Sequence, residues 1–136
     1  MLDYPEQLKM LRQLTDISLL QDNWDGDGAK HFDKEVIKRC YKLIDLVPYP
    51  MDIIPVANNS IQFETERKDY YIKFNVFVDH ISAFKVDTKA DWYSKYPDIN
   101  TSALIKLLEG YIVGWRLEDT LEKSRERRKN KKIYKY

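Results

Sequence analysis

The chain offers few side chains for nucleophilic or zinc chemistry. Its only histidines are His31 and His80, and its only cysteine is Cys40. A catalytic triad needs a base beside its nucleophile, and a structural zinc site needs four ligands, so these three isolated side chains meet neither requirement. Cys40 falls on an apolar helical stripe, where we expect a buried, structural thiol. The sequence therefore predicts no catalytic residue, no metal and no cofactor of these classes.

The stretch Asp25-Gly26-Asp27-Gly28 has the composition of a calcium-binding loop. Counting Asp25 as the first position of a twelve-residue loop places Val36 at the twelfth, where a calcium loop needs a bidentate Glu. No Gly-Lys-Ser or Gly-Lys-Thr follows the glycines, as a phosphate-binding loop requires. We therefore expect this loop to bind neither a calcium ion nor a phosphate group.

Asp52, Glu66 and Lys68 have the residue types of a metal-dependent nuclease site. In such a site two carboxylates hold Mg²⁺ while a lysine steadies the attacking water. Here Glu66 and Lys68 lie on either side of a predicted hairpin turn, where charged side chains ordinarily point into solvent. We therefore predict that the protein is not an enzyme, and nuclease activity through these three residues is the alternative that the sequence leaves open.

Hydrophobic periodicity predicts the elements that must position these residues, beginning with two N-terminal helices. Apolar residues recur at helical spacing from Pro5 to about Leu20. They recur again after Asp33, which is suited to cap a second helix that Pro48 ends. Residues 21–29, which connect the two helices, contain two glycines and short polar side chains that favour turns over regular structure.

Between Asp52 and Asp87 the period of the apolar residues changes to two, which predicts a four-stranded antiparallel β-meander. Helices must cover its apolar face because an open sheet cannot bury that face alone. Residues 88–99 are expected to form an ordered connection, and Asn100 or Thr101 is suited to cap a further helix. The predicted fold class is α+β, with two N-terminal helices, this meander and a long C-terminal helix that carries a basic tail.

Composition indicates one compact domain, because 43% of the 136 residues are hydrophobic and 33% are charged. We expect a single α+β domain over residues 1–122 and a basic, flexible or helical tail over residues 123–136. No apolar run reaches transmembrane length, and Lys9, Arg12 and Asp16 interrupt the N-terminal stretch where a secretory signal needs an apolar centre. Together with the single cysteine, these features predict a cytoplasmic protein with no membrane contact.

Charge is balanced only on average along the chain. Residues 123–136 hold eight Lys or Arg against Glu126, a net charge of +7, so residues 1–122 hold 15 basic against 21 acidic side chains, a net charge of −6. Such a tail can track a nucleic-acid backbone, or it can simply solubilise the chain. The acidic body is in turn suited to a positively charged nucleic-acid channel in another protein. The candidate binding residues of the tail are Arg125, Arg127, Arg128, Lys129, Lys131 and Lys132.

Aromatic side chains on the predicted third strand indicate a binding surface on the sheet. Tyr71 and Phe77 fall on the face opposite the apolar stripe, where they are expected to form an exposed strip that suits a protein partner. A sheet that stacks nucleic-acid bases needs more basic residues around its aromatics than Lys73 and Lys85 supply. A helix that covers this face as well is the alternative for a mixed fold of this size.

The segment Asn23-Trp24-Asp25-Gly26-Asp27-Gly28-Ala29, followed by a helix, a proline and alternating strands, resembles a family of small bacterial and phage proteins with the pattern N-W-D-G-x-G-A. The resemblance covers roughly residues 20–87. Pro55 fits the family pattern, whereas Asn58-Asn59-Ser60 replaces its Asp-Gly-Gly turn and Phe63-Glu64-Thr65 keeps only the Glu of its aliphatic-Glu-Trp segment. Members look like cargo of mobile elements, interpreted as antitoxins, immunity proteins or inhibitors of host defence, and the resemblance implies no shared catalytic activity.

The motif itself has a structural interpretation in physical terms. Trp24 is suited to anchor the loop, Gly26 and Gly28 permit positive φ, and Asp25 can accept hydrogen bonds from nearby amides. With Asn23, these residues are predicted to form a scaffold rather than a binding site.

The sequence thus favours a non-enzymatic, protein-binding inhibitor encoded by a phage or mobile element, of the anti-CRISPR or antitoxin type. Its expected partner is a nuclease, a nucleic-acid-binding protein or another defence or toxin protein. The alternative is direct nucleic-acid binding through the basic C-terminal tail.

Overall fold

In the computed structural model of the chain, residues 3–111 are described. The predictions for the later part of the C-terminal helix and for the basic tail lie outside these residues. The described part is an α+β fold with two helices, an antiparallel sheet and a third helix. The bounds in chain order are α1 Tyr4–Ser18, α2 Lys34–Ile44, β1 Asp52–Val56, β2 Ser60–Arg67, β3 Tyr70–Val76, β4 Ile81–Asp87, β5 Trp92–Tyr96 and α3, residues 101–111.

Capping side chains set the starts of the first two helices, and the sequence predicts the cap of the second helix, Asp33, and Pro5 in the first turn of the first helix. Asp3 caps α1 by accepting a hydrogen bond from the Glu6 amide at 3.0 Å, and Pro5 occupies the first turn. Asp33 caps α2 by accepting from the Glu35 amide at 2.8 Å. Among the described residues, no helix combines the length and the apolar character that crossing a membrane demands.

The sheet has five strands in the order β1-β2-β3-β4-β5, and all neighbouring pairs are antiparallel. The meander is therefore confirmed, but the prediction of four strands is wrong. The additional strand, β5, lies within residues 88–99, which were expected to form a connection. Trp92 and Tyr93 are consecutive and both exposed, so this edge strand lacks the apolar alternation by which a half-buried strand is recognised.

All helices of the described residues pack on one face of the sheet, where the core lies. Phe63 of β2 and Phe74 of β3 are completely buried and stack with ring centroids 4.6 Å apart. Their neighbours on this face are short or branched aliphatic side chains, and the helices contribute the other half of the core. The fully buried helical side chains are Met10, Leu14, Val36, Cys40, Ile44, Leu104 and Leu108.

No helix of residues 3–111 covers the opposite face of the sheet, which we call the open face. Strand register assigns its side chains, since directly paired residues point to the same side. Apart from the buried Ser60, these side chains are half-buried or exposed. The open face consists of Asp52, Ile54, Val56, Ser60, Gln62, Glu64, Glu66, Tyr71, Lys73, Asn75, Ser82, Phe84, Val86, Tyr93 and Lys95.

Two phenylalanines on neighbouring strands test this one-sided arrangement. Phe74→Ala is expected to lower the free energy of unfolding by about 3–5 kcal/mol, because it leaves a cavity beside Phe63. Phe84→Ala, the same change on the open face of β4, is expected to cost about 1 kcal/mol, because only part of that ring is removed from water. Urea denaturation of both variants gives the comparison. Equal losses would show that the open face is covered in the folded protein.

Candidate functional site

In the loop between α1 and α2, polar side chains and backbone groups form hydrogen bonds with one another. Asn23, Gly26 and Gly28 adopt φ angles of 64°, 79° and 86°, in the left-handed region that glycine and asparagine tolerate best. The Asn23 side-chain oxygen accepts a hydrogen bond from the Gly28 amide at 2.7 Å, and the Asn23 amide donates to the Ala29 carbonyl at 2.6 Å. These bonds close the loop on itself.

The Trp24 side chain attaches this loop to the core, and the Asp22 side chain joins the two ends of the connection between α1 and α2. The Trp24 indole donates from Nε1 to the Lys30 carbonyl at 3.0 Å, and its ring lies 5.7 Å from the buried Phe32. The Asp22 carboxylate accepts from the His31 amide at 3.0 Å and contacts His31 Nδ1 at 2.7 Å. The contacts of the loop are those of a scaffold, which supports the structural interpretation of the motif.

Asp25 is the electrostatic centre of the loop. Its carboxylate accepts hydrogen bonds from the amides of Asp27 at 2.9 Å and Ala29 at 3.0 Å. These two backbone hydrogen bonds hold the pKa of Asp25 below its usual value of 3.8. Neither in this loop nor elsewhere in residues 3–111 are three or more His, Cys, Asp or Glu side chains arranged to hold a metal ion.

The structure separates the two aromatic residues that the sequence places in one strip. Tyr71 lies at the start of β3 on the open face, whereas Phe77 follows the last residue of that strand, in the turn to β4. There the Phe77 ring stacks on His80 with centroids 4.4 Å apart, and its carbonyl accepts from Arg39 Nη1 at 3.1 Å. Lys73 and Asn75 lie between the two aromatic residues along the strand, so their rings are not direct neighbours, and their part in binding a partner stays a prediction.

Of the three residues of the nuclease alternative, the structure brings two together: Asp52 and Glu66 line one pocket of about 450 Å³, and Lys68 is not among its lining residues. Cys40 is buried on α2, as predicted, and burial raises the pKa of its thiol to about 12, which leaves it protonated and unreactive. Asp52 and Glu66 lie on the open face at the start of β1 and near the end of β2. Lys68 lies in the exposed turn after β2, as the sequence predicts, with a φ of 52°.

Carboxylates occupy one half of the open face, on β1 and β2. Asp52 is the direct cross-strand neighbour of Glu64, and Glu66 follows two residues later on the same face. Glu64 accepts hydrogen bonds from the Tyr71 hydroxyl at 2.8 Å and from Gln62 Nε2 at 3.0 Å. Burial and the hydrogen bond to Glu64 raise the pKa of Tyr71, which therefore stays protonated and donates. We call Asp52, Glu64, Glu66 and Tyr71 the carboxylate half.

Lysines and aromatic rings occupy the other half of the open face, on β3, β4 and β5. The Lys73 ammonium lies 5.9 Å from the Phe84 ring centroid, and the Lys95 ammonium lies 5.7 Å from that of Tyr93. The Phe84 and Tyr93 rings are 5.9 Å apart and tilted by 42°. We call Lys73, Phe84, Tyr93 and Lys95 the lysine–aromatic patch.

A similar contact lies on the helix side of β5. There the Lys85 ammonium is 5.1 Å from the ring centroid of Trp92, which is 43% exposed. The edge strand β5 therefore places an aromatic ring beside a lysine on each face of the sheet. Tyr93 lies with Lys95 on the open face, and Trp92 lies with Lys85 on the helix side. The sequence analysis singled out Lys73 and Lys85 but missed Tyr93 and Lys95, because it did not predict the strand that places them.

Comparison of the chain with protein-family models, with curated proteins and with solved structures found no match.

Gly28, the second glycine of the motif loop, is expected to stabilise the fold through its positive φ angle. Gly28→Ala is expected to lower the free energy of unfolding by about 1–2 kcal/mol, because a Cβ is strained at positive φ. Gly110→Ala is the matched control, since Gly110 is exposed on α3 without positive φ and a Cβ there meets no atom within 4 Å. That variant is expected to be neutral or more stable by up to about 1 kcal/mol. Equal destabilisation of both variants in urea denaturation would contradict the structural role of Gly28.

The charge of Asp25 predicts a pH-dependent stability difference. Because the folded pKa lies below the unfolded one, the carboxylate stabilises the fold at neutral pH and loses this effect as pH falls through its folded pKa. Asp25→Asn keeps an acceptor oxygen but removes the charge, so its Tm is expected to be lower than that of the unmodified protein at about pH 7 and to approach it below about pH 4. Thermal denaturation over this range measures the difference.

Asp27→Asn is the control, because the Asp27 carboxylate accepts no hydrogen bond from the rest of the described chain. It is expected to leave the Tm nearly unchanged at neutral pH. A deficit of Asp25→Asn that persisted undiminished into acid would show that the charge of Asp25 is not what stabilises the loop.

Proposed function

We propose that this chain is a non-enzymatic, protein-binding inhibitor of the kind that phages and mobile elements encode, of the anti-CRISPR or antitoxin type. Its partner is a nuclease or another nucleic-acid-binding protein, and its binding surface is the open face of the sheet. The resemblance of the N-W-D-G-x-G-A segment to mobile-element proteins provides the biological context for this proposal.

The observation that carries the proposal is that the open face is uncovered among residues 3–111 although six of its fifteen side chains are aliphatic or aromatic. Ile54, Val56, Phe84, Val86 and Tyr93 all project from it, and Tyr93 is 65% exposed. An uncovered surface of mixed apolar and charged side chains is typical of a protein interface, in which aromatic residues form the centre and polar residues form the rim.

The carboxylate half gives this surface a preference for a cationic partner. Asp52 and Glu64 are direct neighbours on adjacent strands, and Glu66 is two residues from Glu64 along β2, a rise of about 7 Å. Closely spaced carboxylates of this kind complement the lysines and arginines that a nucleic-acid-binding protein uses to hold phosphates. An inhibitor that occupies those cations excludes the nucleic acid from its binding site.

Charge reversal on the open face tests this proposal. The full chain is immobilised and exposed to a nuclease-treated bacterial lysate, and the captured protein is then purified and assayed for nucleic-acid binding or cleavage with and without the chain. We expect the chain to inhibit that activity. The double variant Asp52→Lys, Glu66→Lys is expected to weaken both capture and inhibition by at least tenfold, about 1.4 kcal/mol, because two attractive charges become repulsive.

The matched control is Asp16→Lys, which makes the same kind of change at an exposed position of α1 in the helical layer. It is expected to leave capture and inhibition unchanged. If no protein survives nuclease treatment, or if the captured protein keeps its activity in the presence of the chain, the inhibitor proposal is wrong.

Direct binding of nucleic acid through the tail is the second candidate. The observation that favours it is the cluster of eight basic residues in positions 123–136, which carry a net charge of +7. In the capture experiment this function predicts material that is lost on nuclease treatment. Neutralising the tail by changing its basic residues to Gln would then abolish capture, and the affinity of the unmodified chain would fall steeply with salt.

A further inference from the structure

The lysine–aromatic patch combines exposed ring surface with cations that lack an acidic partner. Lys73 and Lys95 lie against the rings of Phe84 and Tyr93, and within residues 3–111 neither lysine forms an ion pair with a carboxylate. The nearest candidate for Lys73 is Glu64, its cross-strand neighbour on β2. The Oε2 atom of Glu64 accepts hydrogen bonds from Tyr71 and Gln62, and no ion pair joins Glu64 to Lys73 in the described part of the chain.

The patch also borders a shallow groove at the β5 edge of the sheet. The groove has a volume of about 440 Å³, and Lys73, Phe84, Lys95 and Pro97 are among its lining residues. Beyond it, β5 has no neighbouring strand in the described part of the chain. A ligand can therefore enter from the side of β5 and lie along β4 and β5 without displacing any described element.

We propose that the lysine–aromatic patch binds single-stranded nucleic acid. Phe84 and Tyr93 stack on unpaired bases, and Lys73 and Lys95 contact the flanking phosphates. The strand β5 adds Lys95 to the basic residues that the sequence analysis counted around the aromatics of the sheet, so that two lysines flank two rings on one face. Rings on adjacent strands of an open sheet, with basic side chains beside them, are suited to base stacking, and a platform three strands wide takes about two bases. This site is separate from the carboxylate half, and it does not depend on the existence of a protein partner.

A single strand fits the patch better than a duplex or an acidic peptide does. The bases of a duplex are stacked on one another, so they cannot lie on Tyr93 and Phe84. An acidic peptide satisfies the lysines but leaves the ring faces unused. The carboxylates of Glu64 and Glu66 repel phosphates on the β2 side, so the strand follows β4 and β5 and avoids the middle of the sheet.

The test measures binding of the full chain to fluorescently labelled oligo(dT) of about 12 nucleotides, by anisotropy, beside an abasic oligonucleotide of equal length. We expect oligo(dT) to bind about tenfold more tightly than the abasic strand. Tyr93→Ala is expected to remove that preference. Lys95→Ala is expected to weaken binding to both strands and to reduce the salt dependence by about 0.7 in the slope of log K against log salt.

The controls are substitutions of the same type in the helical layer. Tyr4→Ala removes an exposed ring at the start of α1, and Lys38→Ala removes an exposed lysine of α2. Both are expected to bind oligo(dT) like the unmodified chain. Because Tyr93 is 65% exposed, its truncation is expected to leave the Tm unchanged, so that a loss of binding does not reflect unfolding.

Three results would overturn the proposal. Equal binding of oligo(dT) and the abasic strand would show that no base stacks on the protein. Unchanged binding by Tyr93→Ala, with complete loss when the basic residues of positions 123–136 are changed to Gln, would assign binding to the tail. Competition by polyglutamate as effective as that by oligo(dT) would identify an acidic protein segment as the ligand. Oligonucleotide binding without any captured protein would uphold this site and reject only the inhibitor proposal.

Discussion

Phe63 and Phe74 stack at the centre of the sheet with ring centroids 4.6 Å apart, and the helices of the described chain pack on their side of it. Side chains alternate along a strand, so placing these two rings in the core also assigns every neighbour to a face. Gln62, Glu64 and Lys73 therefore project away from the helices. The composition of the open face is a consequence of the register that buries the two phenylalanines, and a slip of one residue would exchange the two faces.

The loop that carries the N-W-D-G-x-G-A pattern is stabilised mainly by contacts within the loop and not by the core of the sheet. Its positive φ angles and the hydrogen bonds to Asn23 and Asp25 are satisfied within the loop, and the Trp24 ring lies against Phe32 beside the second helix. Such a motif specifies how two helices are joined, and it leaves few polar groups for a ligand. The resemblance rests on this motif, whereas our proposal for a partner rests on the side chains of the sheet.

Periodicity in the sequence predicts both N-terminal helices, the first four strands, the buried Cys40 and the exposed turn at Lys68, because each depends on residues close together in the chain. It fails at β5, where Trp92 and Tyr93 are both exposed and no alternation exists. It also places Phe77 on β3, because an alternating pattern does not show the residue at which a strand ends.

The pairings that define the candidate sites were beyond prediction for a further reason. Tyr71 reaches Glu64, and Phe84 lies between Lys73 and Lys95, only because of the register between strands. Register follows from the turns and from the packing of the core, and it joins residues whose separation along the chain carries no signal of its own.

The separation of charge across the open face follows from the strand positions of its ionisable residues, and the Tyr71 hydroxyl donates a hydrogen bond to Glu64 where the two halves meet. If the Glu64 carboxylate instead paired with Lys73, its cross-strand neighbour, the centre of the face would be neutral and the charges would cancel where the two halves meet. Tyr71 donates to the carboxylate at 2.8 Å without neutralising it, and the Lys73 ammonium lies over the Phe84 ring. The face therefore keeps negative charge on β1 and β2 and positive charge on β3 to β5. A surface polarised in this way favours one orientation of any charged ligand, because the reversed orientation places like charges together.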